Sequence, residues 1–336
     1  MEPEAPRSAP PSSPLWRRLL PWLLTAACLA AVAKILVGSR EEIALSLARL
    51  ESRTLVAGLA LSAVNILLFS LRTWQVMARC SGVAIPYLFW QRFFVLSQFL
   101  NSALPQAGSI YRAVRLKREI GLGYTAYVGG YFVFAWLSVL FLLLCATLIL
   151  GSSGFSPRPF GVPIALWPAA AALLLFLAPA LAVMLCRLGL PSWRPVAWLA
   201  ERLSAVFAMG PACLRSPSFA ALFLLLALLG LLPGLLVLSL LCQGIGLSPS
   251  PGELLVIFVL IQLSGYVAVT PGNIGVQELL YALVGSQVGF TLASGVMLSL
   301  LIRVLHLAAL ALLTLGLVGL PALIRIKGRT HLEKPE

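Results

Sequence analysis

Aspartate is absent from this sequence: all 11 acidic residues are glutamates, and charged residues of either sign make up only 10% of 336 positions. Histidine is scarce as well, with His306 and His331 alone. The six cysteines (Cys28, Cys80, Cys145, Cys186, Cys213 and Cys242) show no CxxC or other ligand spacing. A His-based metal centre or a Ser-His-Asp triad therefore lacks its raw material. The cysteines read as small buried apolar residues. No glycine-rich phosphate loop or other nucleotide motif occurs, so no cofactor, metal or ATP-driven engine is expected.

Apolar side chains fill the space that is left, at 60% of the chain with a mean hydropathy of +0.99. No water-soluble domain tolerates so little polar surface. Apolar runs reach about 20 residues, the length a helix needs to cross roughly 30 Å of hydrocarbon, whereas a β-barrel would show alternating segments about half as long. The fold class expected is all-α, a polytopic integral membrane protein. Net charge is +13, and 20 of the 24 basic residues are arginine. Arginine suits bidentate phosphate contacts, but basic loops also fix membrane topology. The second reading is taken, and no nucleic-acid partner is expected.

Residues 1–14 are Pro, Ser, Ala and Glu without periodicity and read as a disordered tail. Arg17-Arg18 ahead of Leu19 to Ala33 has the shape of a secretory signal, with Ala31-Val32-Ala33 as a cleavage-like site. The apolar stretch continues to Val37, so it reads as a retained first span over 19–38. Further spans are expected at 54–76, 124–150, 164–186, 218–241 and 290–320, six in all. Between them lie two broken apolar segments, 86–120 and 252–288.

These two segments resemble each other. Phe94-Val95-Leu96-Ser97-Gln98 leads to Pro105-Gln106-Ala107-Gly108, and Phe258-Val259-Leu260-Ile261-Gln262 leads to Pro271-Gly272-Asn273-Ile274-Gly275. The prolines lie 166 residues apart (271 − 105), half the chain. Apolar segments interrupted at matching places in two halves point to an internally duplicated fold with its site at the interruptions. Arg17/Arg18, Arg72/Arg79/Arg92, Arg112/Arg115/Lys117/Arg118, Arg187/Arg194/Arg202/Arg215 and Arg325/Lys327/Arg329 read as cytoplasmic, while the basic-poor stretches 151–163 and 242–252 read as external. Both termini are then cytoplasmic, in a cell-membrane protein. The first broken segment enters from and returns to the cytoplasm, and the second does the same from outside, giving an inverted internal repeat with halves 54–150 and 218–320. The transmembrane domain is expected over 15–320, and 321–336 as a cytoplasmic tail.

Glu278 is the sharpest single candidate, since a carboxylate within the membrane costs roughly 2.5–3.5 kcal/mol or more. It falls in the first turns of a half-helix after Pro271, either capping it or serving function. Arg303, mid-span with Ser299 and His306 on one helix face, is its expected partner, or else a holder of lipid phosphate. Gly272, Asn273 and Gly275 begin a half-helix whose N–H groups attract anions, and Ser109 caps the start after Gly108. Gln91, Gln98, Asn101, Ser102 and Pro105 form one polar stripe. Beyond the break, Arg112, Arg115 and Glu119 share a face of an interfacial helix.

Arg72-Thr73-Trp74, the stretch Asn101 to Gly108 with Arg112 behind it, Pro271-Gly272-Asn273-Ile274-Gly275 with Glu278, and Arg303 together resemble the flippase-like transmembrane domain family. That family comprises the membrane domain of lysylphosphatidylglycerol synthases and stand-alone relatives. The chain departs from the pattern at Thr73, at Asn273 in place of a second glycine, and at Trp136-Leu137-Ser138 where an acidic–basic pair is expected. The resemblance implies lipid translocation, with aminoacyl transfer performed in fused relatives by a separate soluble domain that is not expected within 321–336. The expected activity is non-enzymatic: a flippase or scramblase for an anionic lipid, either a phospholipid or a polyprenyl-phosphate conjugate. The alternative is a scaffold for a separately encoded glycosyl- or aminoacyl-transferase partner.

Overall fold

The computed structural model describes residues 15–103, 106–152, 163, 165–187, 213–266 and 273–319. Pro105, Pro271, Gly272, both tails and the basic residues Arg194 and Arg202 lie outside them. Among the described residues the chain is helical: α1 (Leu15–Gly38), α2 (Arg40–Ala48), α3 (Ser52–Ser81), α4 (Tyr87–Ala103), α5 (Ala107–Ile120), α6 (Tyr124–Ser152), α7 (Leu166–Arg187), α8 (Pro217–Gly244), α9 (Pro251–Ser264), α10 (Val276–Ser286) and α11 (Leu292–Thr314), the last running into a π turn, Leu315–Gly319. Helix satisfies every backbone polar group within its own segment, which hydrocarbon demands.

Four helices are long and apolar enough to cross a membrane: α3, α6, α8 and α11 with its π turn. A fifth is counted if α1 and α2, bent by 75° at their junction, form one span. Within α7, on the expected fourth span, the stretch Leu166–Ala178 is a shorter apolar helix. Large apolar side chains such as Leu148 and Val304 point outward from these helices. In water such a surface would aggregate; in a bilayer it meets lipid.

α3 stands at the centre, packed on α8, α11, α6 and α4. It runs antiparallel to α8, because Gly244 at the end of α8 meets Leu50 and Thr54, while Gln75 near the end of α3 donates to the Phe219 carbonyl at 3.0 Å. This polarity locates the two broken segments, which form helical hairpins. The α4–α5 hairpin has both open ends at the C-terminal end of α3: Trp74 Nε1 donates to the Ile85 carbonyl at 2.8 Å, Trp90 Nε1 to the Ser70 carbonyl at 3.1 Å, and Leu122 joins Ile85 and Trp90 in one cluster. The α9–α10 hairpin has both open ends at the other end of α3, where Arg49 lies against Gly246 and Thr291 Oγ1 donates to Glu42 at 2.5 Å. The hairpins thus point toward each other from opposite ends of α3.

Two glycines allow close packing, Gly108 within the α4–α5 hairpin and Gly295 between α10 and α11. A Cβ on Gly108 would fall 1.7 Å from the Ser97 carbonyl oxygen, and one on Gly295 would fall 2.6 Å from Ala282 Cα. So α5 lies directly on the backbone of α4, and α11 on that of α10. At the hairpin tips Gln106 (φ 61°) and Asn273 (φ 52°) are the only non-glycine residues with positive φ among the described residues. Of the cysteines, Cys213 and Cys242 are buried, and Cys28, Cys80 and Cys145 half-buried. Cys80 and Cys213 touch, Sγ to Sγ, at 3.3 Å.

Candidate functional site

Gly275 ends the second break and Val276 starts α10, which places Glu278 in the first turn of a helix whose leading N–H groups lack intrahelical acceptors. One Glu278 oxygen accepts the Gly275 N–H at 2.7 Å. The other accepts from Arg303 Nε of α11 at 2.8 Å. Arg303 Nη2 also reaches the Asn273 carbonyl at 3.4 Å and Gln277 Oε1 at 3.3 Å. Glu278 is only 3% exposed, so the carboxylate is a closed staple joining the break, α10 and α11. This corrects one expectation: the Gly275 N–H is already taken by the chain's own carboxylate and is not offered to an outside anion.

The first break is organised differently. Asn101 Oδ1 accepts the Ser109 N–H at 3.2 Å and Asn101 Nδ2 donates to Ser109 Oγ at 3.3 Å, so a side chain from α4 caps α5. Arg112 is 2% exposed. Its Nε donates to Tyr127 Oη at 3.1 Å, and its guanidinium lies 4.8–5.5 Å from the ring centres of Tyr131, Phe94 and Trp90. The interfacial role expected of Arg112 gives way to a boxed-in cation. Arg115 keeps the expected surface face, pairing with Glu119 at 3.0 Å.

A cavity of about 210 Å³ with a mixed polar and apolar wall lies between the hairpins. Its wall includes Asn65 and Arg72 of α3, Gln98 of α4, Ser138 of α6, Gln262 and Tyr266 from the end of α9, and His306 of α11. A single water needs on the order of 10–15 Å³ by the same measure, so there is room for a polar head group. None of the described residues lining it is acidic. Arg72 Nε and Ser138 Oγ are buried without hydrogen-bond partners, and the Arg72 guanidinium lies 5.2–5.8 Å from the ring centres of Phe134, Phe69 and Phe223.

The expected site residues therefore divide. Glu278, Arg303, Asn273 and Gly275 converge in the staple, whereas Asn101, Gly108 and Arg112 build the first hairpin. Ser299 is buried with its hydroxyl unpartnered. Among the described residues, His306 and, from the polar stripe, Gln98 are the expected ones that reach the cavity. Arg72, read as a cytoplasmic charge, is instead its cation, because α3 runs on to Ser81, nine residues past it, or about 13 Å at 1.5 Å per residue. Among the described residues no three His, Cys or Glu side chains are grouped to share a metal ion.

Lipid-facing apolar helices enclosing a partly polar, cationic cavity define a multi-pass helical membrane protein. The chain belongs to the family described as Lysylphosphatidylglycerol synthase TM region, whose profile matches residues 15–316. No curated protein and no solved structure matches it.

Proposed function

We propose that the protein binds an anionic lipid, a phospholipid or polyprenyl-phosphate conjugate, and lets its head group pass between leaflets without chemical change, as a flippase or scramblase does. The observation carrying this reading is the cavity, with Arg72, Gln98, Ser138, Gln262 and His306 in a partly apolar wall, that six helices build between two opposed hairpins. A head group passing through such a hydrated space avoids most of the several kcal/mol that polar groups lose in hydrocarbon. The open ends of the hairpins on opposite sides of α3 support an inverted repeat, and the charge of the loops supports six spans with cytoplasmic termini in a cell membrane. An apolar groove of about 460 Å³ between α6, α7 and α8 includes Phe223, whose ring faces Arg72. That groove suits the lipid's chains.

The test is leaflet exchange in liposomes. Purified protein speeds the equilibration of head-group-labelled anionic phospholipids or polyprenyl phosphates relative to protein-free vesicles. Unchanged exchange across that panel, with folded protein present, refutes the reading in favour of a scaffold for a partner transferase.

A further inference from the structure

Three arginines lie within the helical bundle, and their surroundings differ. Arg303 is neutralised by Glu278 at 2.8 Å. Arg112 is enclosed by Trp90, Phe94 and Tyr131, with Tyr127 Oη on its Nε; its Nη1 has no acceptor either, but it stands outside the described wall of the cavity. Arg72 makes no salt bridge among the described residues, its Nε has no acceptor, and it is the only arginine in the wall of the cavity as described. Three phenyl rings face it, and their attraction for a cation offsets only part of its desolvation. Desolvating a charge costs several kcal/mol. The cavity is therefore biased toward an anionic occupant.

The rest of the wall narrows the chemistry. Gln98 and Gln262 occupy the same place in the two related segments, Phe94-Val95-Leu96-Ser97-Gln98 and Phe258-Val259-Leu260-Ile261-Gln262. They come from hairpins that enter from opposite ends, yet both line this one cavity. Gln98 Oε1 already accepts from Asn101 Nδ2 at 3.4 Å, which turns its NH₂ away from that contact and leaves it to donate. Ser138 Oγ adds a buried hydroxyl without a partner. Donors thus converge from α3, α4, α6 and α9. A carboxylate has two oxygens to offer them; a phosphate has more, and guanidinium is well matched to it.

We propose that this cavity is a phosphate site, with Arg72 as the charge-bearing ligand and Gln98 and Gln262 as a matched pair of donors, one from each hairpin. The lipid assignment of that phosphate rests on the function proposed above; the site itself does not. Losing a hydrogen bond to a charged group costs about 1.5–3 kcal/mol, which converts to roughly ten- to hundredfold in affinity for Arg72 and about tenfold for either glutamine.

The experiment measures binding and thermal stability of the full chain in detergent, with dioctanoyl phosphatidic acid, dioctanoyl phosphatidylcholine and inorganic phosphate as separate probes. Phosphatidic acid is expected to bind the wild type and raise its melting temperature. Arg72→Gln weakens that binding ten- to hundredfold while melting, without ligand, at or above the wild-type temperature, because an uncompensated buried cation has gone. Arg72→Lys restores part of the binding, and Gln98→Leu and Gln262→Leu each weaken it. Inorganic phosphate binding as tightly as the lipid, with the same loss in Arg72→Gln, upholds the site and removes its lipid assignment. Equal lipid binding by wild type, Arg72→Gln and both glutamine variants overturns the site, whatever leaflet exchange shows. So does a ligand-free Arg72→Gln that melts well below wild type while Gln98→Leu and Gln262→Leu bind normally.

Discussion

Exchanging Glu278 for glutamine removes a charge but keeps an oxygen that accepts the Gly275 N–H, so the variant isolates the ionic half of the staple. Among its described partners Arg303 then keeps the weaker acceptors Asn273 O and Gln277 Oε1, at 3.4 and 3.3 Å. Stripping one partner from a buried pair costs on the order of 3–5 kcal/mol. Arg303 retains 25% side-chain exposure, which trims the cost of Glu278→Gln to about 2–3 kcal/mol. Arg303→Gln is the harsher change and falls at the upper end, because it strands a carboxylate that is only 3% exposed. The double variant Glu278→Gln/Arg303→Gln leaves no stranded charge and two amides able to bond each other. Its loss is therefore smaller than either single loss, where independent sites would add to within about 0.5 kcal/mol. Denaturant titration of the detergent-solubilised protein, followed by tryptophan fluorescence, measures all four proteins. Additive losses would refute the staple.

Two further outcomes follow from packing and polarity. Gly108→Ala forces α5 off the Ser97 carbonyl, where a Cβ would sit at 1.7 Å; overpacking of this kind costs about 1–3 kcal/mol or more, and a melting temperature equal to wild type would mean that the hairpin is not closed as described. Single cysteines at the exposed positions Ala84 and Ser248, in a cysteine-free background, react with an impermeant thiol reagent from opposite faces of intact vesicles; labelling of both from one face would sink the opposed-hairpin arrangement.

The staple was legible because a lone carboxylate and a lone guanidinium inside apolar runs are individually too costly to stand unpaired. The helical fold and the positions of both breaks were legible for a related reason: long apolar runs admit helix, and Pro with Gly interrupts it. Arg72 was not legible as a cavity residue. It stands seven residues from Arg79 in a region rich in basic residues, and nothing short of the uninterrupted run to Gly82 signals that the helix carries it inward. Gln262 marked the repeat without suggesting that its counterpart Gln98 would face the same space. That meeting is a property of two hairpins pointing inward from opposite ends, which no local pattern encodes. Of the two roles open to Glu278 in the sequence, capping and function, the structure shows the capping contact, its oxygen on the Gly275 N–H.

Gln106 and Asn273 hold left-handed backbone at the two tips, a conformation that costs a non-glycine residue on the order of 1–2 kcal/mol, less for asparagine. The chain thus stores strain at two corresponding points, Gln106 two residues before the close contact at Gly108 and Asn273 beside the Glu278–Arg303 staple. Each strained residue is held by contacts made immediately beside it: the packing of α5 on α4 at Gly108 fixes Gln106, and the Arg303 bond to its carbonyl fixes Asn273.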